Sequence, residues 1–431
     1  MRYPLISNTF FKQNREKLSG LLPKDSLAVF AAAANMPRNG DQFFPFRQQS
    51  DFFYLTGIEA EKAFLVLYPS CPEPELKEVL FIEAYNPVKA TWDGHMLSQQ
   101  EASNISGVQT IRKDDQFDAV LRELMHSAQA VFLHLNEYPK YHTVIADSNK
   151  LLADKIKAAY PLHDFLRAAP LLEGLRVIKS ETEIKLIEQA CQITGKAFER
   201  VLRFVEPGKY EFEVQAEIDH EFTIRRAQGH AYAPIIAGGI NSCVLHYTDN
   251  ESRLESGDLL LFDFGAEYAN YASDMSRTIP VNGKFTDRQK DCYLAVLRVL
   301  KQATKLYVPG NTTDQINKTT WKMMEAEMID LGLFTAEAVK NQHPESPLYQ
   351  KYLMHGVAHH VGLDVHDPGL KYQPLKPGMV ITCEPGIYIR EEKIGIRLEN
   401  DILVTENDPV NLMAPIPIEA DEIENLMQRN Y

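Results

Sequence analysis

Residues 384–399, EPGIYIREEKIGIRLE, restrict the possible folds more than any other stretch of the chain. A turn between Glu391 and Glu392 sets Ile389 opposite Ile394 and Ile387 opposite Ile396, gathering Ile387, Ile389, Ile394, Ile396 and Leu398 on one face. Glu384, Tyr388, Arg390, Lys393, Arg397 and Glu399 take the other face, with Gly386 and Gly395 leaving room beside them. Strand side chains alternate with period two, so a slip of one residue would reverse which face is apolar. The pattern predicts a hairpin in this register, with Glu384 opposite Glu399 at its open end.

A second ribbon, DFGAEYANYASD, carries another pair of acids. A turn between Tyr268 and Ala269 makes Asp263 face Asp274. Like charges opposed about 5 Å apart destabilise a ladder unless something positive lies between them. Asp263 also ends the apolar run LLLF, where a bare buried carboxylate is costly. Any single acid is more commonly solvated or paired, here with Arg397 or Lys393. Two opposed pairs in one domain favour a shared metal site.

Between these ribbons lies YLMHGVAHHVGLDVHD, residues 352–367. His355 and His359 have the spacing of a helical H-E-x-x-H zinc motif, but its glutamate is missing and Gly356 and Gly362 oppose a helix. From His360 onward the alternation predicts an extended segment. One histidine with four carboxylates is an oxygen-rich donor set with enough ligands for two divalent ions. It suits Mn(II), Mg(II) or Co(II) better than a structural zinc. Such paired ions sit about 3.5–4 Å apart and lower the pKa of bound water, which points to hydrolysis.

At 431 residues the chain exceeds what one core usually organises. The expected division is 1–172 and 173–431. The first part alternates short apolar runs (AFLVLYP, EVLFIEA, AVFLHLNE) with helical patterns, as in an α/β domain. The second opens on a helix with Ser180 as N-cap and Glu183 as its capping-box partner, adds helices in TDRQKDCYLAVLRVLKQATKLY and TTDQINKTTWKMMEAEMIDLG, and is α+β. A net charge of −14 argues against nucleic-acid or anionic-membrane surfaces and favours cationic ligands such as a peptide's free amino group. Five scattered cysteines without a C-x-x-C pair suggest neither disulfides nor a thiolate zinc site. With no signal peptide or long apolar run, the expectation is a soluble cytoplasmic protein.

The ordered set D-x10-D, then H-G-x-x-H-x-x-G-x-D-V-H-D, then E-P-G, then R-x-E-x-D resembles the pita-bread metallopeptidases, and among them the aminopeptidase P (Xaa-Pro aminopeptidase) family. FRQQSDFFYLTGIEAEKAFLVLYP resembles that family's amino-terminal domain, so the likeness spans nearly the whole chain. It implies an α/β amino-terminal creatinase-like domain before an α+β pita-bread catalytic domain. It also implies two divalent metal ions, Mn2+ first and Co2+, Zn2+ or Fe2+ as alternatives, held by Asp263, Asp274, His359, Glu384 and Glu399. His246, His355, His366, Glu384 and Arg397 would form the catalytic set. Glu384 would accept the proton of a hydroxide-forming water between the metals, and His246 and His366 would hydrogen-bond the substrate or its oxyanion. Tyr388 and Arg397 would line the proline pocket or support Glu384 and Glu399; His360 would be structural.

The implied substrates are peptides beginning Xaa-Pro. The implied assembly is a homo-oligomer, dimer or tetramer, with Trp92 of WDG resembling a tryptophan that relatives place near a neighbouring subunit's active site. Asn400, where relatives often carry a second acid, and VAHHVG before and after His359 depart from the pattern. The alternatives are prolidase, with the same ligands but dipeptide substrates, and a non-catalytic pita-bread binding protein, which would typically have lost ligands.

Overall fold

The structure, a computed structural model, describes residues 3–139 and 143–428. The described residues form two compact units, 3–176 and 177–428, and position 172 lies within the helix Ala169–Arg176 that ends the first.

The first unit is built on a six-stranded sheet in the order Thr110–Lys113, Glu78–Ile82, Phe64–Leu67, Ser26–Ala31, Ala130–Leu133, Asp164–Arg167. Ser26–Ala31 is antiparallel to Phe64–Leu67 and parallel to Ala130–Leu133. That central strand is buried along its whole length, as expected where both faces of a sheet are covered. Val120, Leu121, Leu124 and Met125 of the helix Phe117–Ser127 join one core with Leu27, Val29, Val66 and Phe81. Spacings of three and four put those helical residues on one stripe, and the alternate strand residues share one face. A polar cluster is buried in the same unit: Asp51 Oδ1 accepts from Arg176 Nη1 at 2.8 Å, and Asp51 Oδ2 lies 3.1 Å from His134 Nε2.

The second unit begins with Glu181–Phe204, capped reciprocally by Ser180 and Glu183. Helices Asp287–Ala303 and Thr313–Asp330 follow, with Thr286 and Thr312 as N-caps. All strand pairings in this unit are antiparallel among the described residues. They make short separate sheets, and two long ribbons run from one sheet into the next.

The ribbon of residues 380–403 has the register expected from its sequence. Ile387 pairs with Ile396, Ile389 with Ile394, and, beyond a break, Cys383 with Asn400 and Val380 with Leu403. Glu384 and Glu399 face one another at that break.

The ribbon of residues 259–280 differs from expectation. Asp263 pairs with Ser276, not Asp274, and Tyr268 pairs with Tyr271. The turn is Ala269–Asn270, one position later than expected, with both residues left-handed at φ of 52° and 66°. Such a two-residue turn matches the twist of a hairpin, and asparagine tolerates that conformation better than most residues. The partner of Asp263 moves by two residues, so side-chain parity survives and both acids keep the same face. Asp274 falls level with Gly265, whose Cβ, if present, would lie 1.7 Å from the Ser273 carbonyl oxygen. Only glycine fits there.

The stretch after His360 is not extended. His360 makes a single bridge to Ile381, and the chain then folds back so that Asp367 N donates to His360 O at 2.9 Å and Gly362 N to Asp364 O at 3.1 Å. A buried ion pair, Lys179 Nζ to Asp367 Oδ2 at 3.0 Å, ties the loop down, and Asp367 Oδ1 accepts from Asp364 N at 3.1 Å. These side-chain contacts outweigh the alternation of the local sequence. Among the described residues no helix is long and apolar enough to cross a membrane.

Candidate metal centre

Each ribbon delivers its acids at the seam between two sheets. Asp263 ends the strand Leu259–Asp263, and Asp274 stands between Tyr271–Ala272 and Ser276–Pro280. Glu384 stands between Val380–Cys383 and Gly386–Ile389, and Glu399 between Ile394–Arg397 and Asn400–Leu403. Interrupting a ladder re-aims the side chains at the interruption, which here turns all four into one space.

Asp274, His359 and Glu399 each offer a ligand atom within 4.8 Å of the other two. His359 Nε2 is 3.4 Å from Asp274 Oδ2 and 3.6 Å from Glu384 Oε1. Asp263 joins through Tyr232, whose hydroxyl lies 2.6 Å from Asp263 Oδ1 and 2.5 Å from Asp274 Oδ1. A phenol has one proton to give, so the two carboxylates share the single Tyr232 donor. Asp263 Oδ2 accepts from Arg397 Nη2 at 2.6 Å.

Arg397 is buried and fully engaged: Nε donates to Ser276 Oγ and Nη1 to Tyr388 OH, both at 2.8 Å. Ser276 in turn donates to Glu399 Oε2 at 2.7 Å. Tyr388 OH lies 2.8 Å from His355 Nε2, while His355 Nδ1 lies 2.6 Å from Gly356 O and 3.7 Å from Glu384 Oε2. The His366 ring meets that of His359 edge-on at 4.4 Å. His246 is exposed on the loop after the turn Gly239–Cys243. His360 is buried, and burial, reinforced by the Lys179 charge, lowers its pKa to about 3. Trp92 belongs to the other unit, on the helix Pro87–Asp93.

The electrostatics show a shortage of positive charge. Burial pushes the Glu384 carboxyl up to about 7 against the pull of His359 and Arg397. Burial and the neighbouring acids Asp274, Glu384 and Asp263 drive Glu399 well above the carboxylate range. Asp274 is raised by burial, opposed by His359 and reinforced by Asp263. His359 would lose its charge through burial, but Asp274 and Glu384 carry it up to about 9. Among the described residues Arg397 and His359 supply the positive charge facing these acids, with His355 neutral beside Glu384, a deficit that divalent cations bound among them would relieve. The donor set therefore fits a metal centre.

Several functional neighbours escaped the sequence reading. Tyr232 and Ser276 touch the acids from distant positions, and no local pattern marks either. Asp401 lies in the R-x-E-x-D stretch but was given no role. It is buried, and burial followed by the Asp274 charge pushes its carboxyl up to about 8. Its Oδ2 accepts from Asp274 N at 3.1 Å, and its Oδ1 has no hydrogen-bond partner among the described residues.

This arrangement coincides with matches to known proteins. Residues 185–406 match metallopeptidase family M24, and residues 11–132 match the aminopeptidase P amino-terminal domain. The chain belongs to metallopeptidase family M24. Within that family it has the aminopeptidase P pair of domains, and it is a metal-dependent peptidase. It is 35% identical over 429 residues to a Xaa-Pro aminopeptidase of Haemophilus influenzae, covering 97% of this chain and 96% of that one. To a Xaa-Pro aminopeptidase of Escherichia coli it is 34% identical over 443 residues, covering 98% of each. The zinc-substituted E. coli aminopeptidase P, solved with its product, superposes with a TM-score of 0.87 at 32% identity, over 99% of this chain and 100% of that one. The M24 assignment and that zinc-bound relative agree with the use of divalent metal by this chain.

Proposed function

We propose that this M24 peptidase removes the amino-terminal residue from peptides with proline in second position. The observation that carries the reading is the convergence of Asp274, His359 and Glu399 within 4.8 Å, with Glu384 beside His359, in a chain that matches Xaa-Pro aminopeptidases end to end. Asp263, Asp274, His359, Glu384 and Glu399 would hold two divalent ions, Mn2+ in the first instance. When bound, such ions supply Lewis acidity that activates water and polarises a carbonyl.

The chain's own residues do the rest. Glu384, whose Oε1 lies 3.6 Å from His359 Nε2 at the centre of the cluster, takes a proton from the attacking water and returns it toward the leaving nitrogen. Burial, and then the Arg397 charge, keep His355 neutral with a pKa lowered to about 4. It can therefore hold Tyr388 OH without adding positive charge. His246 and His366 supply hydrogen bonds to the substrate carbonyl, and Arg397 orients Asp263 and Tyr388 from behind. Proline's nitrogen brings no N–H to the scissile bond, so selectivity rests on a shaped pocket beside Tyr388.

The domain division at 172/173, a homo-oligomeric state and a cytoplasmic location belong to the same proposal. An exposed Trp92, 83% accessible, supports the second.

The test is to incubate the Mn(II)-loaded full chain with Xaa-Pro tripeptides, Xaa-Pro dipeptides and proline-free tripeptides, and identify released residues by mass spectrometry. Release from the proline tripeptides is expected. Cleavage of dipeptides alone would establish a prolidase, and inertness with every added metal a binding protein.

A further inference from the structure

Glu211 is a carboxylate with no solvent exposure, and the mechanism above does not use it. Burying such a charge is costly unless it is fully hydrogen-bonded. Its Oε1 accepts from Gly238 N at 2.7 Å and Asn241 Nδ2 at 3.3 Å. Its Oε2 accepts from Tyr247 OH at 2.7 Å and Ser252 N at 2.8 Å. All these donors come from one segment, residues 238–252, and none is a cation. The carboxylate also lies in the first turn of the helix Glu211–Ile224, where the helix dipole favours negative charge.

The segment it grips is the loop that carries His246. Gly238 ends the strand Ile235–Gly238, and Ser252 is where the chain returns, with Glu211 N donating to Ser252 O at 3.0 Å. Asn241 Nδ2 also reaches Ser252 Oγ at 2.9 Å, so the two ends are joined directly as well. Asn250, itself buried, adds a second staple: its Oδ1 accepts from Ile236 N at 3.0 Å and its Nδ2 donates to Pro234 O at 3.0 Å. On the far side, Gly395 has no room for a Cβ, which would lie 2.2 Å from Ser242 O, so the loop's first turn sits directly on the metal-bearing ribbon. Tyr247 is thus pulled inward next to an exposed His246.

We propose that Glu211 is a positioning residue for the peptidase reaction: by binding both ends of the 238–252 loop and the Tyr247 hydroxyl, it sets where the His246 imidazole meets the substrate. This rests on the assignment of His246 to the substrate carbonyl.

The experiment compares Glu211→Gln, Tyr247→Phe and His246→Ala, singly and as the two double variants with His246→Ala, in the Mn(II)-loaded full chain on a tripeptide with proline second. Glu211→Gln is expected to lower kcat about tenfold and Tyr247→Phe about threefold, with KM and metal content little changed. In the His246→Ala background neither substitution should lower kcat further, because the group they position is gone. A merely structural role would give losses that multiply. Multiplying losses, or parental kcat in Tyr247→Phe and in Glu211→Gln, overturn the proposal. If Glu211→Gln does not fold, Tyr247→Phe decides by itself. Full activity in His246→Ala would instead remove the assignment of His246, and the positioning role with it. An impaired His246→Ala beside fully active Glu211→Gln and Tyr247→Phe removes the positioning role alone.

Discussion

Asp51 in the first domain and Glu399 in the second are both buried acids, yet their carboxyl groups are displaced in opposite directions. Burial alone would raise each. At Asp51, Arg176 and then His134 overcome it and hold the carboxyl well below the usual range. At Glu399, burial is reinforced by Asp274, Glu384 and Asp263, with Arg397 as the nearest opposing charge. The first site has its counterions built in from the chain; the second is short of them. The contrast separates an acid used to hold a fold together from acids gathered for something that arrives from outside.

The sharpest way to break that contrast is to remove an acid from each site. Asp274→Ala or Glu399→Ala should cost several kcal/mol of transition-state stabilisation, roughly a thousandfold or more in kcat/KM, with loss of bound metal by elemental analysis. Near-parental activity in either would remove the metal role. Asp51→Asn should leave metal content unchanged but destabilise the first domain by about 3 kcal/mol in denaturant titrations, since the buried Arg176 loses the opposing charge of the Asp51 carboxylate.

The pH dependences should also have opposite signs. Asp51 has a folded pKa below its unfolded value of about 3.9, so its stabilisation is complete above that pH and fades as acidification continues below it. Glu384 has a folded pKa raised to about 7. In metal-stripped protein, stability should therefore fall as pH rises from about 4 to 7, by several kcal/mol, since the raised carboxyls of Asp274, Glu399 and Asp401 act in the same direction, and Mn(II) should abolish the fall. A metal-free protein whose melting temperature is flat over that range would contradict the charge shortage. The smallest effect concerns the turn that sets the acids' register: Ala269→Gly should stabilise by up to about 1 kcal/mol, because glycine adopts the left-handed conformation without strain.

The two ribbons show how far the sequence reaches. Residues 384–399 alternate cleanly between isoleucines and polar groups, so their pairing could be read directly. Residues 259–280 are buried on both faces over nearly their whole length, so no alternation marks the register. Their turn then depends on the two left-handed residues at 269 and 270, which carry no Asn-Gly or Asp-Gly signature. The acids still came to one face because a displacement of two residues preserves parity. The His360–Asp367 loop failed as an extended segment for a different reason: Lys179, far away in the chain, reaches in to pair with Asp367.

From its order of residues alone, this chain determined its α/β and α+β halves, the capped helices and one ribbon's pairing, because periodicity and spacing are local properties. Tertiary structure alone decided that Tyr232 would sit between Asp263 and Asp274, that Arg397 would be consumed by Asp263, Ser276 and Tyr388, and that Glu211 would grip the His246 loop. Those contacts join residues from 9 to 134 positions apart. Hydrogen bonds and charges act across space, and which distant groups meet is set by the packing of the whole domain.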